Sequence, residues 1–127
     1  MTGVVLDSSA VLAVINAEPG AERVIDLLDG ALLSAVNHAE VMTKLVERGI
    51  DRALARSTIL KIGIQVIEFG IDLADRTGEL RPQTRHLGLS LADRACLALA
   101  EREGVPAVTA DRKWAAAELG IEIQLIR

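Results

Sequence analysis

The chain has 127 residues, of which 50% are apolar and 2% aromatic, and its formal net charge is −4. A chain of this length is typical of one domain, so we expect a single domain over residues 1–127 with a core of aliphatic side chains. The acidic balance argues against a general nucleic-acid coat, although net charge does not describe the local field of a site.

The compartment is indicated by cysteine usage and by the N-terminal residues. The lone Cys96 excludes an internal disulfide and is typical of a reducing compartment. No basic segment followed by an apolar one precedes Asp7, so we expect no signal peptide. Polar residues recur after it, which excludes a membrane-spanning helix. We therefore expect a cytoplasmic protein without a membrane partner.

Strand and helix patterns alternate along the chain. The first half is predicted to contain a strand at residues 4–6, a helix at 10–17, an amphipathic helix from 21 that ends at Gly30, a strand at 31–35, a helix at 37–48 and a helix after residue 51. The second half is predicted to contain a strand at 64–69, a helix from about residue 72, a loop or frayed helix at 80–89, a helix at 91–103, a strand at 105–109, a short helix at 111–119 and a strand at 121–126. The predicted helix caps include Ser8 or Ser9, Asn37, Asp51 and Ser90.

This alternation predicts an α/β fold. Strands separated by helices require right-handed crossovers, which produce a parallel sheet with helices on both faces. We therefore expect three α/β/α layers around a central parallel sheet of about five strands. Ligands bind such sheets beyond the carboxyl ends of the strands, where the strand order reverses.

Four acids are expected at that edge of the sheet. Asp7 ends the first predicted strand, and Asp111 lies just beyond the fourth. Glu40 and Asp93 are each expected in the first turn of a helix that starts near the same edge. Helix capping explains each acid as well: Glu40 and Asp93 fit capping boxes, and Asp7 and Asp111 fit helix starts. Both interpretations stay open from the residues alone.

Convergence of the acids has an energetic consequence that favours a metal site. Two unit charges ~4 Å apart repel by about 4 kcal/mol at an effective dielectric constant of ~20. A divalent cation removes that repulsion, and all-oxygen ligands suit Mg²⁺ or Mn²⁺. Zinc is not expected, because Cys96, His38 and His86 show no ligand spacing. Such a cation lowers the pKa of bound water and stabilises charge on a phosphodiester oxygen.

Four short motifs in chain order resemble those of the PIN-domain ribonucleases, and the length is similar to that of the VapC toxins of toxin–antitoxin pairs. The motifs are Asp7-Ser8-Ser9, Asn37-x-x-Glu40, Ser90-Leu91-x-Asp93-Arg94 and Thr109-Ala110-Asp111. The resemblance implies a metal-dependent endoribonuclease that cleaves structured cellular RNA and whose catalytic residues and metal ligands are Asp7, Glu40, Asp93 and Asp111. It implies that Ser8 and Thr109 support the site. It also implies a homodimer and a cognate antitoxin that blocks the cleft.

Two features lie outside the motifs. Trp114 stands where many relatives have phenylalanine, which should affect packing more than chemistry. Residues 72–89 match no motif.

Basic residues near the predicted cleft are candidate RNA contacts. Arg112 and Lys113 follow Asp111 directly, and Arg85 belongs to a basic cluster before Ser90. Aromatic residues are nearly absent, so recognition is expected to use phosphate contacts and shape more than base stacking. The alternative for each of these basic residues is that it is a solvated surface charge with no role in RNA binding.

Two further alternatives stay open. The apolar residues of the helix after Asp51 fit a subunit or antitoxin interface, but ordinary core packing explains them equally well. A decayed nuclease fold that binds RNA or a partner without catalysis is the alternative to an enzyme. Only a measurement of activity separates these two functions.

Overall fold

The computed structural model describes residues 3–127; Met1 and Thr2, which belong to the predicted domain 1–127, lie outside the described residues. The strands are β1 (Val5–Leu6), β2 (Leu32–Ser34), β3 (Gln65–Ile67), β4 (Ala107–Thr109) and β5 (Ile123–Leu125). The α-helices are α1 (Ser8–Ile15), α2 (Ala21–Asp26), α3 (Ala35–Glu47), α4 (Arg52–Leu60), α5 (Ile71–Glu79), α6 (Arg81–Thr84) and α7 (Leu91–Glu103). Two 3-10 helices span Arg85–Leu87 and Arg112–Ala116.

The five strands form one sheet in the order β3-β2-β1-β4-β5, and every neighbouring pair is parallel. The predicted parallel α/β sheet is therefore confirmed. Leu6 of β1 is paired with Leu33 on one side and with Val108 on the other. The chain adds β2 and β3 on one side of β1 and then returns to add β4 and β5 on the other. The strand order thus reverses between β1 and β4, where a ligand crevice is expected.

Side chains alternate between the two faces of the sheet and divide the core into two clusters. Leu6 and Val108 pack in a cluster with buried residues of α1, α2, α3 and α4. Val5 and Ala107, their neighbours in sequence, pack in a second cluster with residues of α5 and α7. Helices therefore cover both faces, which confirms the three-layer arrangement.

Two helices start earlier than predicted. Helix α1 begins at Ser8, and its cap is Asp7 rather than Ser8 or Ser9, because the Asp7 carboxylate accepts from the backbone of Ala10. This confirms the capping interpretation of Asp7. The third helix begins at Ala35, since the Ser34 side chain accepts from Val36 N at 3.2 Å and starts the helix directly after β2.

The earlier start of α3 corrects the placement of one site residue. Glu40 lies in the second turn of α3 and not in the first, so Asn37 and Glu40 do not form a capping box. The sequence Ala35-Val36 continues the apolar pattern of the strand, which is why the pattern placed the helix start too late.

Other boundaries differ less. Asp51 caps α4 and Ser90 caps α7, as predicted. The predicted helix over residues 111–119 is a shorter 3-10 helix, and residues 80–89 contain α6 and the first 3-10 helix. In the described part of the chain, no helix has both the length and the apolar character needed to cross a membrane.

Candidate active site

A cavity of about 230 Å³ lies beside the ends of β1 and β4. Its walls are formed by Asp7, Ser8, Ser9, Leu12, Glu40, Lys44, Asp93 and Asp111. The fold thus brings the four predicted acids, which are up to 104 positions apart, to one cavity at the point where the strand order reverses. Ser8 also lines the cavity, whereas Thr109 lies behind it, in contact with Asp7.

Asp7 is the most enclosed of the acids, with a relative exposure of 4%. Its Oδ1 accepts from Ala10 N at 2.9 Å and from Ser9 Oγ at 2.7 Å. Its Oδ2 accepts from the Thr109 hydroxyl at 2.5 Å. Asp7 is therefore both a helix cap and a cavity residue, which its position between a strand and a helix allows.

Burial raises the pKa of Asp7 from 3.8 to about 6. The hydrogen bonds from Thr109, Ser9 and Ala10 oppose this rise because they favour the carboxylate. The negative charge of Asp93 adds to it. A buried acid with an elevated pKa in a cavity is typical of a functional site.

Asp93 shows that capping and a site role are compatible. It forms a capping box with Ser90, in which Ser90 N donates to Asp93 Oδ2 at 2.9 Å and Asp93 N donates to Ser90 Oγ at 3.1 Å. The same side chain faces the cavity. Partial burial raises its pKa, and the charges of Glu40 and Asp111 contribute to the rise.

Glu40 is bound by a residue from another helix. The Ser8 hydroxyl donates a hydrogen bond to Glu40 Oε1. Asn37 Nδ2 donates to the same hydroxyl oxygen at 3.1 Å. Ser8 was predicted as a supporting residue, but Ser9 and Asn37 were not. The polar run Asp7-Ser8-Ser9 and the position of Asn37 three residues before Glu40 are the sequence signals for them.

Asp111 begins the second 3-10 helix, where it accepts from Lys113 N at 3.0 Å. The Lys113 ammonium lies 4.0 Å from Asp111 Oδ2. Arg112, Lys113 and Arg85 are all exposed, and none of them lines the cavity. The cation that does line it is Lys44, four residues after Glu40 on α3. The four-residue spacing places Glu40 and Lys44 on one face of the helix, and it is the sequence signal that would have identified Lys44 as a cavity residue.

The oxygen atoms of the carboxylates and hydroxyls that line the cavity fit a hard divalent cation, because such cations prefer oxygen ligands. Among residues 3–127, however, no three acid, histidine or cysteine side chains are grouped closely enough to hold a metal ion as they stand. The four carboxylates instead accept hydrogen bonds from protein groups. Metal binding therefore requires the carboxylates to lie closer together than they do here.

Family comparison agrees with this architecture. The PIN-domain model matches residues 4–119, which is most of the chain, and the chain belongs to the PIN-domain family. A comparison with curated protein sequences finds no match.

Solved structures share the fold at low sequence identity. A chain of VapBC2 from Rickettsia felis, solved bound to a DNA fragment from their promoter, has a TM-score of 0.74 at 18% identity, with 97% of this chain and 98% of that chain covered. VapBC-1 from nontypeable Haemophilus influenzae has a TM-score of 0.74 at 16% identity, with 98% of both chains covered. VapC20 from Mycobacterium tuberculosis, a toxin that cleaves the sarcin–ricin loop, has a TM-score of 0.72 at 21% identity, with 91% and 95% covered.

Proposed function

We propose that this protein is a divalent-metal-dependent endoribonuclease that acts as the toxin of a toxin–antitoxin pair. The observation that carries the proposal is the single cavity shared by Asp7, Glu40, Asp93 and Asp111 at the reversal of strand order. Membership of the PIN-domain family supports the nuclease assignment. The fold shared with VapBC proteins and with a toxin that cleaves RNA supports the toxin assignment.

The four carboxylates are the proposed ligands of Mg²⁺ or Mn²⁺. Ser9 and Thr109 hold Asp7 in place, and Ser8 holds Glu40. A bound cation would lower the pKa of a coordinated water and offset negative charge on the phosphodiester. No covalent nucleophile from the protein is required for such a hydrolysis.

The proposed substrate is structured cellular RNA, and the proposed location of the activity is the cytoplasm. Lys44 lines the cavity and is the basic residue best placed to meet a phosphate there. Arg112, Lys113 and Arg85 are exposed on the two 3-10 helices, which contact each other, and they are proposed to bind the RNA further from the cleavage point.

A cognate antitoxin and a second copy of the chain are the proposed protein partners. The apolar residues of α4 fit both explanations given for this helix, core packing and an interface. Ile59 is fully buried in the core, whereas Leu54 and Leu60 are 56% and 43% exposed. Contiguous exposed apolar patches are typical of surfaces that bind another chain, and Leu54 and Leu60 are the proposed members of such a patch. The complexes of the VapBC relatives support an antitoxin as one such partner.

The function is tested with purified protein that has been freed of any antitoxin. We expect cleavage of total RNA with Mg²⁺ or Mn²⁺ and loss of cleavage when a chelator is added. Asp93→Asn keeps the backbone hydrogen bond to Ser90 but removes a carboxylate charge, so it should abolish cleavage while the fold is retained. Asp51→Asn is the matched control, since Asp51 also caps a helix but does not line the cavity.

Two results would contradict the proposal in different ways. Undiminished cleavage by Asp93→Asn would show that the cavity is not the active site. A wild-type protein that binds RNA but cleaves nothing with either metal would favour the decayed, non-catalytic alternative.

A further inference from the structure

Asn37 is a buried polar residue that contacts two residues of the cavity wall, Ser8 and Glu40. Its side chain is 1% exposed, and its Nδ2 atom is surrounded by three oxygens. The nearest are Ser8 Oγ at 3.1 Å and the carbonyl oxygen of Ala92 at 3.2 Å, followed by Glu40 Oε1 at 3.4 Å. These partners belong to three different helices, α1, α7 and α3.

The orientation of the amide follows from these neighbours. A carbonyl oxygen and a carboxylate accept hydrogen bonds but cannot donate them. Only the NH₂ group can therefore face Ala92 O and Glu40, and Asn37 Oδ1 must point away. That oxygen is buried and has no hydrogen-bond partner among the described residues. A buried unpaired acceptor costs free energy, which offsets part of what the Nδ2 hydrogen bonds contribute to stability.

The contact with Ser8 has a directional effect. A serine hydroxyl has one proton to donate and two lone pairs that accept. Because Asn37 donates to the Ser8 oxygen, the Ser8 proton points elsewhere. Its acceptors are Glu40 Oε1 and, at 3.4 Å, the backbone carbonyl oxygen of Asn37, of which the carboxylate is the nearer. Asn37 thus sets the hydroxyl in the orientation that holds the Glu40 carboxylate.

The contact with Ala92 acts on a second acid. Ala92 immediately precedes Asp93 in the first turn of α7, and the hydrogen bond joins it to α3 across 55 residues of sequence. The separation between the helices that carry Glu40 and Asp93 is therefore held by the same amide group.

We propose that Asn37 is a positioning residue of the acidic cavity, which orients Ser8 toward Glu40 and holds the start of α7 against α3. This inference rests on the proposed function, because the spacing of the carboxylates matters only if they bind a cation. Asn37 does not line the cavity and is not a proposed ligand. It acts through Ser8 and through the backbone of Ala92.

The test measures Mn²⁺ binding to metal-free protein by the electron paramagnetic resonance signal of free Mn²⁺. Asn37→Leu keeps the number and branching of the side-chain heavy atoms, although the methyl groups are larger, and removes both hydrogen-bond donors. We expect its Kd for Mn²⁺ to rise at least about tenfold, as is typical when a residue that orients a ligand is lost. Thr77→Val is the matched control, because Thr77 is fully buried and donates only within its own helix. Its Kd should stay within about twofold of wild type.

Thermal unfolding without metal sets the temperature of this comparison. The melting temperature of Asn37→Leu is expected to fall further than that of Thr77→Val, because the buried Ala92 carbonyl loses its partner. Mn²⁺ affinity is therefore measured well below both transitions, where a loss confined to Asn37→Leu reports positioning. Equal losses of affinity in both variants would overturn the inference, as would a wild-type Kd for Asn37→Leu.

A second variant keeps the inference testable if Asn37→Leu does not fold. Ser8→Ala removes the hydroxyl through which Asn37 acts and leaves the buried amide intact. We expect weaker Mn²⁺ binding by Ser8→Ala, and a smaller effect of Asn37→Leu in that background than in wild type. Wild-type Mn²⁺ affinity of Ser8→Ala, or independent effects of the two substitutions, would overturn the proposal that Asn37 acts through Ser8. A wild-type protein that binds no Mn²⁺ would instead overturn the proposed function.

Discussion

The Thr109 hydroxyl donates a 2.5 Å hydrogen bond to Asp7 Oδ2 and joins the ends of β4 and β1 across 102 residues of sequence. Both residues are buried. The same hydroxyl oxygen accepts from Asp111 N at 3.0 Å. One threonine therefore contacts the side chain of one cavity acid and the backbone of another.

Replacing Thr109 with valine should raise the pKa of Asp7 further. Valine has the same shape but no hydroxyl, so Asp7 Oδ2 loses a donor that favours its charged form. We expect the acid limb of the profile of RNA cleavage against pH to move to higher pH. The buried carboxylate oxygen left without this donor should also lower the free energy of unfolding by roughly 1–3 kcal/mol.

Thr84→Val is the control for this prediction. Thr84 is also fully buried, but it donates to Leu80 O within the same stretch of chain, away from the cavity. Its pH profile should match that of wild type. If Thr109→Val also kept the wild-type profile, the hydroxyl would have no influence on the ionisation of Asp7.

Asp7→Asn should stabilise the metal-free protein at neutral pH. The folded state holds the pKa of Asp7 at about 6, compared with 3.8 for an ordinary aspartate, so the folded state binds its proton more tightly than the unfolded state. The contribution to stability is complete below about pH 4 and is lost as pH rises through about 6. A rise of this size costs up to about 3 kcal/mol at neutral pH, which asparagine avoids because it carries no charge.

Urea unfolding of metal-free wild type and Asp7→Asn between pH 4 and pH 8 measures this effect. The difference in free energy of unfolding should be largest above pH 6 and should shrink toward pH 4. Asp29→Asn, at an exposed position in a turn, is the control and should show no such trend. A constant difference across the range would refute the assigned ionisation of Asp7.

Lys44→Met should weaken RNA binding. Among the described residues, Lys44 is the cation that lines the cavity, and it forms no ion pair there. Methionine keeps much of the apolar length but removes the charge. We expect KM for RNA to rise several-fold with kcat retained, and the slope of log Kd against log salt to fall by about 0.7 to 1, as for one lost phosphate contact.

The matched control for Lys44 is Lys61→Met. Lys61 is also exposed but lies at the end of α4, outside the cavity. Its salt dependence should be that of wild type. Equal effects of the two substitutions would indicate a general loss of positive charge rather than a contact at the cleft.

Gly20→Ala should destabilise the fold, because Gly20 precedes α2 with a φ of 95° and a Cβ there would collide with the backbone of Ile126. The combined strain should lower the free energy of unfolding by roughly 1–3 kcal/mol in thermal or urea unfolding. Gly78→Ala is the control: Gly78 lies inside α5 with open space around it, so alanine should stabilise by about 0.5–1 kcal/mol. Equal stability of Gly20→Ala and wild type would contradict the close approach of Gly20 to Ile126.

Local patterns carried the prediction of the fold. The apolar runs of β1 and β4, the caps Asp51 and Ser90, and the terminal Gly104 are signals that act over a few residues. They predicted a parallel α/β sheet and placed Asp7 and Asp111 at strand ends. The start of α3 was misplaced because the apolar residues that follow Ser34 fit a strand and a helix equally well.

The sequence by itself determined the order of the strands and helices and which four acids were expected at the sheet edge, because periodicity, caps and strand ends are properties of neighbouring residues. The tertiary structure decided how those acids are held. The contacts of Asn37 with Ala92 and of Thr109 with Asp7 join residues 55 and 102 positions apart, and no local pattern specifies such a distance. Only the packing of α1, α3 and α7 at one sheet edge creates the enclosed environment that raises the pKa of Asp7 and leaves Lys44 at the cavity.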